Sequence, residues 1–310
     1  MLANRVRKRH AHLAPRFARE RVEAFRLYDW DIPEIRAVVD WYAGHLVVSE
    51  YERLQTGPDW LPSMADAVAS ALGVPPDRLH MKRRRTGPDR GDRYGRGAAA
   101  GQVIVVSERD LRFRVDLGDA LDTGLFPDHR DTRAMLRAEA AGRDFLNLYA
   151  YTGTFTCAAA AGGARSTVTV DRSAGCLDRA ADNLDLNGLS GGANRLVRAD
   201  AREYLARARK AGERFGLVLL DPPSFSGTRD SGDAFDVNRD HPALVASALE
   251  VAAPGGSLWF STNHQRFEPR LDSVPAGLAS EVVEVTARTL PPDYRDRNRT
   301  AHRCWRIVRA

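Results

Sequence analysis

The sequence predicts an α/β protein in which a mostly parallel sheet carries helices on both faces, preceded by a smaller α+β region. Three observations carry that reading. After Asp116 the chain repeats strand, loop and helix; each strand is a short apolar run; and an acid or a glycine-containing loop follows each strand. Parallel strands need crossovers long enough to hold a helix, so this alternation specifies a parallel sheet. Sheets of this kind bind ligands outside the carboxyl ends of their strands.

Taken in order, the segment from Ala3 to about Glu23 reads as a basic helix in which Val6, Leu13 and Phe17 give a loose apolar stripe, and it is expected to act as a docking arm. From Phe25 to about Asp116, β-like runs at Phe25 to Tyr28, His45 to Val48, Gln102 to Val106 and Leu111 to Val115 surround one helix, Pro62 to Leu72. A Gly- and Arg-rich loop from Thr86 to Gly101 interrupts this small region. Further on, Phe145 to Tyr149 leads through a loop to a helix over Thr156 to Ala161, and Ser166 to Asp171 leads to a helix ending at Asn187. Leu196 to Asp200 precedes a helix over Ala201 to Ala211, and Phe215 to Leu220 runs into Asp221-Pro222-Pro223. The division expected is 1–24 (basic helix), 25–116 (small α+β domain) and 117–310 (α/β domain).

With 310 residues, 43% of them hydrophobic, the chain can fill one large core and a smaller one. It has no apolar run of membrane-spanning length, and its first residues are rich in Arg, so a cytoplasmic location is expected. Cys157, Cys176 and Cys304 are far apart and never form a CxxC pair, which argues against a disulfide framework and a zinc site. No metal is expected. The formal net charge is +5, and basic residues bunch at Arg5 to Arg9, at Lys82 to Arg85, and at Arg295, Arg297, Arg299 and Arg303. Such clusters suit a polyanion, since each phosphate neutralised releases counterions. The charge pattern favours nucleic acid over the alternative, a GC-rich genome that writes Arg in place of Lys together with solvated helix faces.

The candidate site residues follow the strands. Tyr149-Ala150-Tyr151-Thr152-Gly153 has one glycine where a dinucleotide fingerprint has three, too few bare backbone positions for a pyrophosphate. One glycine suffices for a cofactor that lays a small amino-acid end over the loop, as S-adenosylmethionine (SAM) does. Asp171 is placed to accept from ribose hydroxyls and Asp200 from an adenine amino group, although either acid could simply cap a helix. In Asp221-Pro222-Pro223 the prolines fix φ and push the acid out of helical conformation, so its carboxylate is held extended and aimed. Phe225 offers a flat face on which a base can stack.

Several stretches together carry a family resemblance: LDTGLFPDHR from Leu121, FLNLYAYTGTFTCAAAAGGARSTVTVDRS from Phe145, NLDLNGL, LLDPPSFSGTRDSGDAFDVNRDH, LWFSTNHQRF and RNRTAHRCW. In these the chain resembles the C-terminal, guanine-N7 half of the bifunctional bacterial 23S ribosomal RNA guanine methyltransferases. The resemblance covers nearly the whole chain, beginning at ANRVRK, and implies a free-standing version of that half. It implies a Rossmann-like class I fold with a seven-stranded, mostly parallel sheet, SAM as cofactor, and 23S ribosomal RNA or a large-subunit precursor as partner. The small N-terminal domain is expected to contact that RNA.

Carried over by position, Tyr149, Tyr151 and Gly153 would line the methionine side of SAM, Asp171 the ribose and Asp200 the adenine. Asp221 would edge both cofactor and substrate, with Pro222 and Phe225 beside the reacting groups. Asp128, His129 and Arg130 would help close the cofactor pocket, or else simply begin a helix over Ala134 to Ala141. Asn238, Arg239, Asn263 and Arg266, with His264, are candidates to read a guanine edge, each with a loop-capping role as an alternative. Three other readings compete with this one. Amino methylation of protein or DNA often uses Asn-Pro-Pro-aromatic, and Asp221 and Ser224-Phe225 depart from that pattern. A cytosine-C5 methyltransferase needs a thiolate, but Trp259 to Asn263 contains no cysteine and Cys157, Cys176 and Cys304 all look misplaced. A non-catalytic RNA-binding assembly factor would not need the acids Asp171, Asp200 and Asp221.

Overall fold

The computed structural model describes residues 1–51, 56–84, 102–118, 122–226, 234–295 and 299–310. The loop expected from Thr86 to Gly101, together with Arg85 and Arg297, lies outside the described residues. The chain divides into two compact units, Met1–Pro127 with Pro292–Asn298, and Asp128–Pro291 with Arg299–Ala310.

In the first unit, α1 (Leu2–Glu20) precedes strands β1 (Ala24–Asp29), β2 (Ala37–Tyr42) and β3 (His45–Tyr51), then α2 (Trp60–Leu72), β4 (Leu79–Arg84), β5 (Val103–Glu108) and β6 (Leu111–Asp116). The first four strands form one sheet in sequence order, antiparallel except for β3 against β4, and β5 pairs with β6. The apolar stripe of α1 is not loose. Leu2, Val6, Leu13 and Phe17 are buried with Phe25, Leu27, Val39 and Val48 and with Leu61, Ala65 and Val68 of α2. The N-terminal segment is therefore a packed helix of this unit and not an extended arm, because its apolar residues recur at helical spacing and need a partner face.

The second unit continues with α3 (Arg130–Glu139), β7 (Asp144–Leu148), α4 (Thr154–Ala161), β8 (Ser166–Asp171), α5 (Ala174–Leu186), β9 (Asn194–Arg198), α6 (Ala201–Ala211) and β10 (Phe215–Leu220). There follow the short pair β11 (Phe225–Ser226) and β12 (Phe235–Asp236), then α7 (Val237–Val251), β13 (Ala252–Thr262), β14 (Ala279–Glu284), α8 (Thr286–Thr289) and β15 (Arg303–Arg309). Seven strands make one sheet in the order β14-β15-β13-β10-β7-β8-β9. β13, β10, β7, β8 and β9 run parallel, and β15 is antiparallel to both of its neighbours.

The central strands are buried on both faces, which is why they read as continuous apolar runs and not as alternations. Along β10, Leu217 and Leu219 face one core with Phe145, Trp259 and Phe155, while Val218 and Leu220 face the other with Leu148, Phe260 and the helices α6 and α7. Each such side chain contributes on the order of 1.5–3 kcal/mol by leaving water. The result is a rigid sheet whose carboxyl edge can hold loops in fixed places. Among the described residues, no helix is long and apolar enough to cross a membrane.

Candidate active site

The carboxyl ends of β10, β7, β8 and β9 lie side by side, and the sheet order reverses at β7, with β8 and β9 on one flank and β10 and β13 on the other. A crevice at such a switch point is where open α/β sheets take their ligands. Tyr149 to Gly153, Asp171, Asp200 and Asp221 all come to this edge, each directly behind its strand or one turn beyond it.

The loop after β7 is more strained than its single glycine suggests. Tyr149 and Tyr151 take positive φ (56° and 51°), as does Gly153 (69°). For a bulky L-residue that conformation costs on the order of 1–2 kcal/mol, so the surroundings must enforce it. The Asp171 carboxylate does so, accepting from the Tyr151 N–H (2.9 Å) through one oxygen and from the Ser173 N–H (2.9 Å) through the other. Burial pushes the pKa of Asp171 up, and these backbone donors oppose the rise. Asn183, fully buried on α5, donates its amide to the Thr152 carbonyl (2.9 Å). Sequence reasoning missed Asn183, although it opens the NLDLNGL stretch. Gly153 packs against α5 so closely that a Cβ there would stand 2.7 Å from the Ala180 Cβ. Tyr149 is half-buried; burial, then the charge of Asp200, pushes its phenol pKa up.

Asp200 caps α6, its Oδ1 accepting from the Arg202 N–H (2.8 Å), and Oδ2 lies 3.9 Å from the Arg172 guanidinium. The capping alternative weighed for this acid is thus realised in the structure. At the end of β10, the Ser261 hydroxyl donates to Asp221 Oδ1 (2.5 Å), while Asp221 Oδ2 lies 3.7 Å from His129 Nε2. Pro222 is buried and both prolines follow trans peptide bonds. Phe225 is 54% exposed and meets the His264 ring edge-on (5.5 Å between centroids); the neighbouring Ser224 hydroxyl donates to Asn263 (2.9 Å).

Beneath Asp221 lies a buried polar cluster that the sequence only hinted at. His129 stacks on His302 (4.1 Å, 16°), and Phe155 meets the His129 ring edge-on. His302 faces the Asp128 carboxylate through Nδ1 (3.1 Å) and the Thr289 hydroxyl through Nε2 (3.0 Å). Burial, then His302, drives the His129 pKa down to about 4 against the pull of Asp128 and Asp221, so this imidazole is neutral near pH 7. Asp128, His129 and His302 bring one ligand atom each within 4.8 Å, a spacing a metal ion can use. Both His302 nitrogens already face hydrogen-bonding partners, so the set reads as a hydrogen-bonded cluster. RNRTAHRCW was recognisable in the sequence, but nothing local marked His302 as the neighbour of His129.

Cys304 lies on the last strand, as expected, where it stands opposite Ser261, the residue that holds Asp221. It is fully buried, and burial followed by the charge of Asp221 pushes its thiol far up, away from the thiolate.

The remaining sequence candidates separate into two groups. The Asn238 amide donates to the Arg266 carbonyl (3.1 Å) and accepts from the Glu268 N–H (3.1 Å), which ties the loop after β13 to α7. The Arg239 guanidinium pairs with Asp240 and the Ala234 carbonyl. Asn263 and Arg266 are exposed, and the Arg266 N–H donates to His264 Nδ1 (3.2 Å). Arg130, beside His129, is fully buried at the start of α3.

A seven-stranded sheet with one antiparallel strand, and acids at the carboxyl ends of adjacent strands, define a class I methyltransferase fold. The chain belongs to the S-adenosylmethionine-dependent methyltransferase family, which it matches over residues 28–303, and SAM is its cofactor. Solved structures of low identity share the fold. SMU.776, assigned as a methyltransferase and solved in complex with SAH, superposes with a TM-score of 0.79 at 23% identity, covering 99% of this chain and 80% of that one. A SAM-dependent methyltransferase from Agrobacterium tumefaciens gives 0.63 at 20% identity, covering 88% and 87%. A Methanocaldococcus jannaschii tRNA m1G methyltransferase gives 0.56 at 12% identity, covering 98% and 77%.

Proposed function

We propose that this methyltransferase transfers the SAM methyl group to N7 of a guanine in 23S ribosomal RNA. The observation that carries the reading is the edge at the end of β10, where Asp221 is fixed by Ser261 and faced by neutral His129, with exposed Phe225 beside His264 and Asn263. A carboxylate held in one orientation suits the N1 and N2 donors of guanine, and an exposed ring suits the stacking of a base taken out of its helix.

SAM, when bound, supplies the electrophilic methyl group. Asp171 fits the cofactor's ribose: its two backbone hydrogen bonds occupy about half of a carboxylate's acceptor positions, leaving the rest for two vicinal hydroxyls. Tyr149, Tyr151 and Gly153 would line the methionine side, Asp200 the adenine, and Asp221 with Pro222 the reacting edge. Guanine N7 carries its own lone pair and no proton, so the chain's residues need to position it in line and not to deprotonate it. Positioning of this kind can remove about 7–11 kcal/mol of barrier.

Of the candidates for reading the guanine, Asn263 and Arg266 are exposed, while the Asn238 amide ties down the loop after β13 that carries them and the Arg239 guanidinium is engaged by Asp240 and the Ala234 carbonyl. A cytosine-C5 reaction is disfavoured because it demands a thiolate and Cys304 is sealed in the core. The Methanocaldococcus jannaschii relative, by its name, modifies a guanine in tRNA; its likeness here extends to the fold alone. Mapping N7-methylguanosine in ribosomal RNA by borohydride and aniline cleavage, before and after deletion of the gene, tests the proposal. One 23S site should disappear and return with the wild-type gene but not with Asp221→Ala; an unchanged map refutes it.

A further inference from the structure

One helix carries as much net positive charge as the whole chain. Within α1 there are six cations (Arg5, Arg7, Lys8, Arg9, Arg16 and Arg19) and one acid, Glu20, a balance of +5, and the whole chain is also +5. All residues outside α1 therefore sum to zero. Of the other basic clusters noted in the sequence, three described residues are engaged within the fold. Lys82 is buried in β4, Arg83 lies 3.9 Å from Glu50 and donates to the Pro58 carbonyl, and Arg303 pairs with Glu284 (2.7 Å).

α1 is different. Its apolar residues Leu2, Val6, Leu13 and Phe17 are at most 2% exposed, so the helix is fixed with one face in the core. Arg5, Lys8, His12, Arg16 and Arg19 are exposed at intervals of three or four residues, which places them in one stripe. Fourteen residues separate its ends, about 21 Å at 1.5 Å per residue. Arg7 is exposed next to the stripe and reaches Asn4 (3.4 Å); Lys8 and Arg19 have no carboxylate partner among the described residues. Arg5 and Arg16 make ion pairs with Asp31 and Glu20, but at exposed positions such pairs are weak and readily exchanged for a phosphate.

We infer that the outward face of α1 is a docking surface for the phosphate backbone of RNA. A stripe of basic side chains on a helix packed into the core matches a polyanion, and it carries no sequence information, as expected of a positioning contact. An anionic membrane is a poorer match, because an interfacial helix inserts its apolar face into the lipid, and here that face is packed inside the protein. The inference rests on the RNA reading given above.

The test uses the full chain, an in vitro 23S ribosomal RNA transcript as probe, and binding measured over a range of salt concentrations. Arg7→Gln/Lys8→Gln/Arg19→Gln should lower the slope of log K against log salt by about 2, since each lost phosphate contact removes roughly 0.7–0.9. Arg207→Gln/Lys210→Gln/Arg214→Gln removes the same charge from exposed positions on and beside α6 and should leave the slope unchanged. SAM affinity by calorimetry should be equal in all three proteins, which checks that each is folded. If the wild type methylates the transcript while the α1 variant binds it with the wild-type slope, or if both triple variants lose slope equally, the surface is refuted and the RNA reading survives. If the wild type neither binds nor methylates the transcript, both fall. Loss of wild-type binding to vesicles of 3:1 phosphatidylcholine and phosphatidylglycerol in the α1 variant, with RNA binding intact, would reassign the face to membranes and overturn the inference.

Discussion

Gly153→Ala is expected to destabilise the protein by about 2–4 kcal/mol, through two separable effects. Gly153 sits at φ +69°, where an L-residue costs on the order of 1–2 kcal/mol. The added methyl would also stand 2.7 Å from the Ala180 Cβ and 3.3 Å from its Cα, on the backbone of a packed helix that cannot swing away. Overpacking of this kind adds about 1–3 kcal/mol, and roughly 0.4–1 kcal/mol is offset by the stiffer unfolded chain. Urea unfolding followed by tryptophan fluorescence measures the loss. A double-mutant cycle separates the parts. Ala180→Gly alone should cost about 1 kcal/mol as a glycine in a helix interior, but with Gly153→Ala it removes the closest contact. The two substitutions should therefore couple favourably by about 1–3 kcal/mol, leaving the φ contribution and the 3.3 Å approach to the Ala180 Cα. A loss below about 1 kcal/mol for Gly153→Ala, or additive behaviour in the cycle, would refute the account of why glycine stands here.

Other consequences concern the cluster and the exposed edge. The unfolded chain protonates His129 below about pH 6.5, whereas the folded state holds it neutral down to about 4, so stability is full above 6.5 and falls through that window by about 3 kcal/mol. His129→Gln should remove about 2 kcal/mol of the stability lost between pH 7.5 and 5 in urea titrations; an unchanged pH dependence would contradict the buried neutral imidazole. Cys304, buried and with its thiol pKa raised, should resist iodoacetamide at pH 8 in the native protein and react only after unfolding, as read by mass spectrometry. Rapid native alkylation would reopen the thiolate chemistry. Phe225→Ala should leave SAM affinity intact and lower kcat/KM for RNA on the order of 10- to 100-fold, the value of about 1–3 kcal/mol for one stacked base. Equal kcat/KM would remove Phe225 from the substrate edge.

Much of the second unit was legible because its signals are local. Ser166–Asp171, Phe215–Leu220 and Ala201–Ala211 fall where the apolar runs and the capping acid put them. β2, β4 and β14 were not foreseen: β4 reads as a basic run, and β14 is an edge strand with Val282 and Val283 exposed, so neither carries the apolar pattern that marks a buried strand. The acids of the site could be found one by one, and so could the local capping of α6 by Asp200. That Asp171 restrains the loop at Tyr151, twenty residues away, depends on side-chain direction across a chain reversal.

By itself the sequence determined the class of fold, the cofactor and the strand-end positions of Tyr149 to Gly153, Asp171, Asp200 and Asp221, since periodicity, prolines and caps act within a few residues. Only the tertiary structure decided which distant side chains share a site. β15 runs back antiparallel beside β13, which sets Cys304 opposite Ser261 and returns His302 to the end of the sheet where it stacks on His129, while the parallel pairing of β10 with β13 brings Ser261 onto Asp221. It likewise decided that α1 turns its apolar stripe inward and its charges outward, because burial is a property of the partner face and not of the helix alone.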